Sequence, residues 1–278
     1  MTDTTFIAKQ HPPRVLGATT ALVTGANGGI GVAFVQALLD QGAARVYAAM
    51  RDPASLPQQW QGDSRVVPVK LDVTNRADIA EAAARYRDID LFICNAAVTC
   101  IGPVSEKDET TVRHVMEVNY FGPVMLTQAL SDALRSRRGG IIYVLSMAAM
   151  IPPGPAPVYS ASKAACAMYA AGVRSELGKQ GVQVTLCFPG YVDTRQSAAF
   201  KSRKASPESI ANETLRAWTE KQSHVFPDAF SQLVLAEMAR DGATMLTDPE
   251  GARKELARKH EEQSTMAELA APEGSAQS

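Results

Sequence analysis

Short apolar runs, many of them β-branched, recur along the first two thirds of the chain. They lie at Thr20–Thr24, Arg45–Ala49, Val66–Lys70, Asp90–Cys94, Gly140–Leu145 and Val182–Phe188. Several are near-continuously apolar rather than alternating, the pattern of strands covered on both faces. Longer stretches with helical spacing separate them, at about Ile30–Gln41, Arg76–Tyr86, Thr110–Arg137 and Tyr159–Lys179. Strand–helix–strand repetition at this spacing predicts βαβ units in a doubly wound, mainly parallel sheet flanked by helices. His224-Val225-Phe226 supplies a seventh, last strand. Past Gly190 the pattern loosens. The segment 191–206 is irregular, with a basic tip at Lys201, Arg203 and Lys204. Ser206-Pro207-Glu208 is a helix start, with Ser at the N-cap and Pro at the first helical position. That helix is expected to run to about Lys221. Further helices at about Asp228–Arg240 and Pro249–Glu262 complete the pattern, and the small polar tail from Ser264 is expected to fray. The division predicted is an N-terminal arm 1–18, one α/β domain 19–227 with a lid at about 191–206, and a helical C-terminal extension 228–278.

Composition narrows the classes. A chain of 278 residues with 46% hydrophobic content can bury one large core. Net charge is −1, which offers no electrostatic reason to expect nucleic acid or an anionic membrane as partner. The first residues carry Pro12 and Pro13 and no apolar signal segment. The longest near-apolar stretch, Ala164–Val173, falls well short of the ~18 residues of a membrane span. A soluble cytoplasmic protein is expected. Cys94, Cys100, Cys166 and Cys187 show no paired spacing and read as free buried thiols. His11, His114, His224 and His260 share no metal-ligand spacing, so no metal is expected and none is given a catalytic role.

Three local patterns carry chemistry. The first strand runs through Thr24-Gly25-Ala26-Asn27-Gly28-Gly29-Ile30-Gly31 directly into a helix. A glycine-rich turn between strand and helix N-terminus lets backbone N–H groups approach a pyrophosphate, with the helix dipole assisting. This makes the domain Rossmann-type. The second strand ends in Met50-Arg51, where an acidic residue would otherwise receive a ribose diol. A guanidinium there suits a 2′-phosphate, so NADP(H) is favoured and NAD(H) remains possible. Tyr159 and Lys163 are four residues apart, one turn along one helix face. A phenol held beside a fixed ammonium is a proton donor and acceptor usable near neutral pH.

Taken together in order and spacing, these residues resemble the short-chain dehydrogenase/reductase family, in its shorter-subunit branch with the Tyr-x-x-x-Lys signature. The resemblance covers roughly Thr20 to Thr194. Its motifs are Thr24–Gly31, Asp72-Val73, Asn95-Ala96, Asn119, Ser146, Tyr159 with Lys163, and Pro189-Gly190-Tyr191-Val192-Asp193-Thr194. It implies that Tyr159 exchanges a proton with the carbonyl or alcohol oxygen, and that Ser146 orients that oxygen. It implies that Lys163 assists Tyr159 and holds the nicotinamide ribose. Asn119 would interrupt the central helix and anchor a proton-relay water near Lys163. Asp72 and Val73 would meet the adenine, Asn95 and Ala96 would support the cofactor, and Pro189, Gly190, Val192 and Thr194 would meet the nicotinamide end. Two departures stand out. The family's Asn-Asn-Ala-Gly reads Cys94-Asn95-Ala96-Ala97, from which altered packing is expected. The family's glycine-rich ending is replaced by His224–Asp228 and a longer C-terminal part, which puts its tetramer in doubt.

The loop between Ser146 and Tyr159 is uncharged and carries four prolines, Pro152, Pro153, Pro155 and Pro157. With Met147 and Pro153 it is expected to wall a substrate cleft that Tyr191 and Phe200 of the lid close. The expected function is an NADPH-dependent carbonyl reductase, reversibly an alcohol dehydrogenase, acting on an apolar ketone or aldehyde. The alternatives are an NAD-dependent alcohol dehydrogenase working oxidatively and a non-enzymatic NADP(H)-sensing protein. The alanine-rich helix after Tyr159 would pair with the helix before it in a homodimer, and a tetramer is left open.

Overall fold

Three of the apolar runs become strands in which every residue is buried: β1 (Thr20–Thr24), β4 (Leu91–Cys94) and β5 (Gly140–Val144). They sit mid-sheet in a computed structural model that describes residues 15–151 and 154–269. With β2 (Arg45–Met50), β3 (Val66–Lys70), β6 (Gln183–Cys187) and β7 (His224–Val225) they form one seven-stranded sheet, ordered β3-β2-β1-β4-β5-β6-β7. Every neighbouring pair is parallel.

Helices cover both faces. On one, α1 (Gly29–Asp40) and α6 (Pro207–Thr219) bury Phe34, Leu38, Leu215 and Trp218 against the sheet. On the other, α2 (Arg76–Arg85), α4 (Gly122–Ser136) and α5 (Pro157–Leu177) bury Ile79, Leu126, Leu130 and Val173. Each fully buried Leu or Phe of these layers stabilises the fold by about 2 kcal/mol. The chain reverses winding between β1 and β4, and the crevice at such a switch point lies beyond the strand C-termini. Register aligns those ends. Val23 pairs with Ile93, Cys94 with Tyr143 and Val144 with Cys187. Thr24, Asn95, Ser146 and Pro189 therefore emerge along one edge.

The structure differs from the sequence pattern in three helices. The single helix expected over Thr110–Arg137 is divided into α3 (Glu109–Met116), a π-turn at Glu117–Phe121, and α4. Pro123 lacks the N–H that would close a regular turn, and the Asn119 side chain is drawn away into the preceding loop. α7 (Ala229–Thr247) passes its expected end at Arg240 with a kink at Asp241, whose carboxylate recaps the chain at the Thr244 N–H, 3.2 Å away. α8 (Pro249–Leu269) continues through Ser264, where fraying was expected. There the Ser264 hydroxyl donates to the His260 carbonyl at 2.8 Å, and the Ser264 carbonyl accepts from Arg203 at 3.3 Å. Among the described residues, no helix is long and apolar enough to cross a membrane, and no group of His, Cys, Asp and Glu is placed to hold a metal. The four cysteines are free and buried, and burial pushes the Cys166 thiol up to about 11 and that of Cys187 up to about 12.

Candidate active site

The glycine turn is held from below by a polar lattice. The Thr24 hydroxyl accepts from the Asn95 and Ala96 N–H groups at 3.0 and 3.1 Å. The Asn95 amide donates back to the Thr24 carbonyl at 2.9 Å. Asn95 thus supports the turn rather than facing outward, and Ala96 does so through its backbone. Gly25 adopts φ +66°, open to glycine at little cost. Gly31 approaches more closely still, since a Cβ there would lie 2.1 Å from the Gly25 carbonyl oxygen. Gly28 caps α1 without a side chain, and Asn27, Gly28 and Gly29 are exposed. The first N–H groups of α1, at Gly29 and Ile30, point outward with the helix dipole behind them, the geometry that receives a pyrophosphate.

Arg51, exposed just past β2, makes no hydrogen bond among the described residues. Its charge reaches Asp72. Partial burial opposes ionisation of Asp72, but hydrogen bonds from the Thr74 N–H and hydroxyl, with Arg51, outweigh it and hold the carboxyl below its usual value. Val73 is buried beneath, against Gly122 of α4. Arg51, Asp72 and Val73 stand at one end of the crevice and the tyrosine at the other.

Tyr159 and Lys163 lie on one face of α5, with the Lys163 Nζ 5.9 Å from the Tyr159 ring centroid. Lys163 is only 4% exposed, and its ammonium donates to the Val144 carbonyl at 2.9 Å. That is its one hydrogen bond among the described residues. Two N–H donors of a desolvated ammonium are left for a further acceptor, which a ribose hydroxyl would satisfy. The Tyr159 hydroxyl makes no hydrogen bond among the described residues. Ser146, at the end of β5, accepts from the Ala148 N–H at 3.1 Å and keeps its own proton free to donate.

The Asn119 amide is fully engaged. It exchanges 2.9 Å hydrogen bonds with both backbone groups of Val98 and donates to the Ser162 hydroxyl at 3.0 Å. Ser162 in turn donates to the Tyr159 carbonyl at 2.6 Å. The Asn119 side chain therefore ties the π-turn to the tyrosine helix and is not directed at Lys163. Ser162 was legible only as a small residue between Tyr159 and Lys163, and its role as a bridge needed the tertiary contact.

Ser146, Met147, Tyr159, Pro189, Gly190, Tyr191, Val192, Thr194 and Phe200 border one cleft of about 500 Å³. Pro153, expected in its wall, lies outside the described residues. The segment 191–206, expected to act as a lid, is pinched at its neck by a backbone bridge between Val192 and Ala205. Its start touches the cofactor turn, with the Thr194 methyl 2.9 Å from where a Gly29 Cβ would be. Tyr191 stacks near Phe200 and Phe230, at ring separations of 5.3 and 5.0 Å.

Two features of this cleft escape a reading of the motifs. The buried Asp228 carboxylate accepts from the Gly190 N–H at 2.8 Å while capping α7 at Ser231, so the C-terminal helices are anchored to the loop after β6. The second is that α8 forms an outer wall with Arg253, Leu256 and His260. The cleft that this uncharged loop was expected to wall is also bordered by the charged residues Lys201, Arg203, Arg253 and Glu261. His260, given no role from sequence, is 8% exposed, packs edge-on to Phe230 and contacts the Arg203 carbonyl at 3.3 Å.

Residues 19–205 match the family model described as short chain dehydrogenase. The chain belongs to this family. As a short-chain dehydrogenase it is an NAD(P)-dependent oxidoreductase. It is 33% identical over 223 residues to an uncharacterised oxidoreductase of Staphylococcus aureus strain MW2, covering 76% of this chain and 95% of that one. It is also 33% identical over 183 residues to the NADPH-dependent 1-acyldihydroxyacetone phosphate reductase of Saccharomyces cerevisiae, covering 63% of this chain and 61% of that relative. The crystal structure of a short chain dehydrogenase from Burkholderia cenocepacia in complex with NADP matches with a TM-score of 0.78 and 34% identity, over 93% of this chain and 100% of that one. The exposed α1 N-terminus, the free donors of Lys163 and the guanidinium at Arg51 fit such a dinucleotide.

Proposed function

We propose that this short-chain dehydrogenase is an NADPH-dependent carbonyl reductase acting on a bulky, largely apolar ketone or aldehyde. The observation that carries the reading is the placement of Tyr159 and Ser146, each with a hydroxyl proton to donate, on one cleft with the Lys163 ammonium buried behind them. A dinucleotide, when bound, supplies the hydride. The protein residues do the rest. Ser146 and Tyr159 converge on the substrate oxygen. As charge develops there Tyr159 donates its proton, and the Lys163 ammonium stabilises the phenolate left behind. Asn119 acts by position: it holds the widened turn and, through Ser162, the start of α5. Ile101, Leu145 and Met147, with Leu256 from α8, give the cleft apolar walls. The reverse direction uses the same groups, with Tyr159 as base.

Arg51 supports NADPH over NADH, as does the NADPH dependence of the yeast relative. A charge-assisted contact to a 2′-phosphate contributes about 1.5 kcal/mol or more, roughly tenfold in affinity. Initial rates on a ketone panel should give a kcat/KM at least about tenfold higher with NADPH than with NADH, and Arg51→Gln should erase the difference. Equal rates with both coenzymes, unchanged by the substitution, would turn the reading toward NAD-linked oxidation.

The proposal extends to a homodimer through α4 and α5. Met168 of α5 is 76% exposed in the midst of that face. Light scattering at micromolar concentration should give twice the chain mass, and Met168→Glu should shift it toward one. A wild-type monomer would sink the assignment.

A further inference from the structure

The border of the cleft carries more cations than carboxylates, and the charge of one of them, Arg253, acts on Glu250 without forming an ion pair among the described residues. Lys201 and Arg203 come from the lid and Arg253 from α8, against a single carboxylate, Glu261. α8 carries four cations between residues 253 and 259, and three are paired. Lys254 meets Glu250 at 2.9 Å, Arg258 meets Glu255 at 2.6 Å, and Lys259 meets Glu237 at 2.8 Å. Arg253, which borders the cleft, forms no ion pair among the described residues. Its side chain reaches from α8 to the loop between Ser146 and Tyr159: its Nη1 lies 2.9 Å and its Cδ 3.2 Å from where a Gly154 Cβ would begin. The absent side chain at Gly154 leaves the guanidinium room to lie across the mouth.

An arginine so held presents a planar fork of donors suited to a carboxylate or phosphate. Ile101, Leu145, Met147 and Leu256 give the same cleft apolar walls, and Tyr159 and Ser146 border it too. From this arrangement we infer that the physiological substrate is amphipathic: a carbonyl carried on an apolar body whose far end bears an anionic group received by Arg253. Lys201 and Arg203 add a favourable field at the rim. The cofactor's own phosphates are served elsewhere, by the α1 N-terminus and Arg51, whereas Gly154 belongs to the substrate wall. The inference rests on the carbonyl-reductase reading and names the substrate class for the same site.

The test uses the intact enzyme and a series of methyl-ketone acids of increasing chain length, each with its methyl ester and the corresponding oxoalkyl phosphate. At the best length, kcat/KM for an anionic member should exceed that for the ester by about tenfold, mainly through KM. Arg253→Gln should bring that ratio near one and Arg253→Lys should keep part of it. Whether acid or phosphate leads identifies the group. A wild-type ratio near one at every length overturns the inference, as does a ratio that survives Arg253→Gln. So does a variant that raises the NADPH KM while leaving the ratio intact, because that makes Arg253 a cofactor contact. Calorimetry of octanoate and methyl octanoate on the NADPH-bound enzyme separates the two layers. Ester turnover without anion preference leaves the reductase reading standing and removes this one. Arg253-dependent octanoate binding without turnover of any ketone keeps the anion contact at Arg253 but removes the reductase reading, and with it the carbonyl substrate.

Discussion

Tyr159→Phe should lower kcat for ketone reduction by about a thousandfold, in the range that a positioned acid–base group contributes. NADPH affinity and thermal stability should stay close to wild type. The substitution removes one oxygen and leaves the ring that packs at the entry of α5. That oxygen makes no hydrogen bond among the described residues, so the fold loses no internal contact. Lys163 keeps its 2.9 Å bond to the Val144 carbonyl, and the dinucleotide crevice is untouched. On the proposed mechanism, what disappears is the proton delivered as hydride arrives, for which Ser146 alone is a poor substitute because an unassisted hydroxyl is a weak acid. The measurement is single-turnover reduction, with NADPH binding followed by its fluorescence. Turnover within tenfold of wild type would remove Tyr159 from the acid role, and unchanged turnover with lost NADPH binding would recast it as a cofactor ligand.

Gly31→Ala should cost cofactor affinity and stability together. A Cβ at this position would overlap the Gly25 carbonyl oxygen at 2.1 Å and crowd the Asn95 amide at 2.9 Å. Backbone must move, because neither neighbour is the end of a flexible chain. α1 cannot retreat, since Phe34, Val35 and Leu38 are fully buried beneath it. Overpacking of this kind costs about 3 kcal/mol, or roughly 6 °C in Tm for a domain of this size. On the proposed binding mode the displaced segment is the one whose N–H groups would meet the pyrophosphate, so dinucleotide binding should weaken by about a hundredfold, equivalent to about 2.7 kcal/mol. Gly28→Ala is the control: a Cβ there meets nothing within 4 Å among the described residues, and its φ of −151° suits any residue. Its Tm should move by less than about 2 °C. Equal losses in the two variants would mean that close approach at Gly31 is not what shapes the turn.

Much of this protein was legible in the order of its residues. Near-continuous apolar runs mark strands buried on both faces, because only a covered parallel sheet needs them. All seven strands begin within a residue of the positions that the pattern predicts. The glycine turn and the Tyr159/Lys163 pair were equally plain, since a strand–turn–helix cradle and one turn of helix are local geometries set by spacing. The Thr110–Arg137 region was less so. Its apolar periodicity runs through the π-turn, and the side chain that helps to widen it, Asn119, bonds to Val98, 21 residues away.

The outer wall of the cleft was not legible. Arg253 and His260 sit on a helix whose pattern is that of any amphipathic surface helix, with charged residues spaced for salt bridges. Nothing local separates Arg253 from Lys254, one step along the chain. Only the docking of α8 over the lid, anchored by Asp228 at the Gly190 N–H, turns one of them toward Gly154 and leaves its neighbour paired with Glu250. The sequence by itself determined the sheet, the glycine turn and the one-turn spacing of Tyr159 and Lys163, because each is written in short-range periodicity and spacing. The tertiary structure alone decided what encloses the cleft, because that depends on which face of a remote helix packs across it.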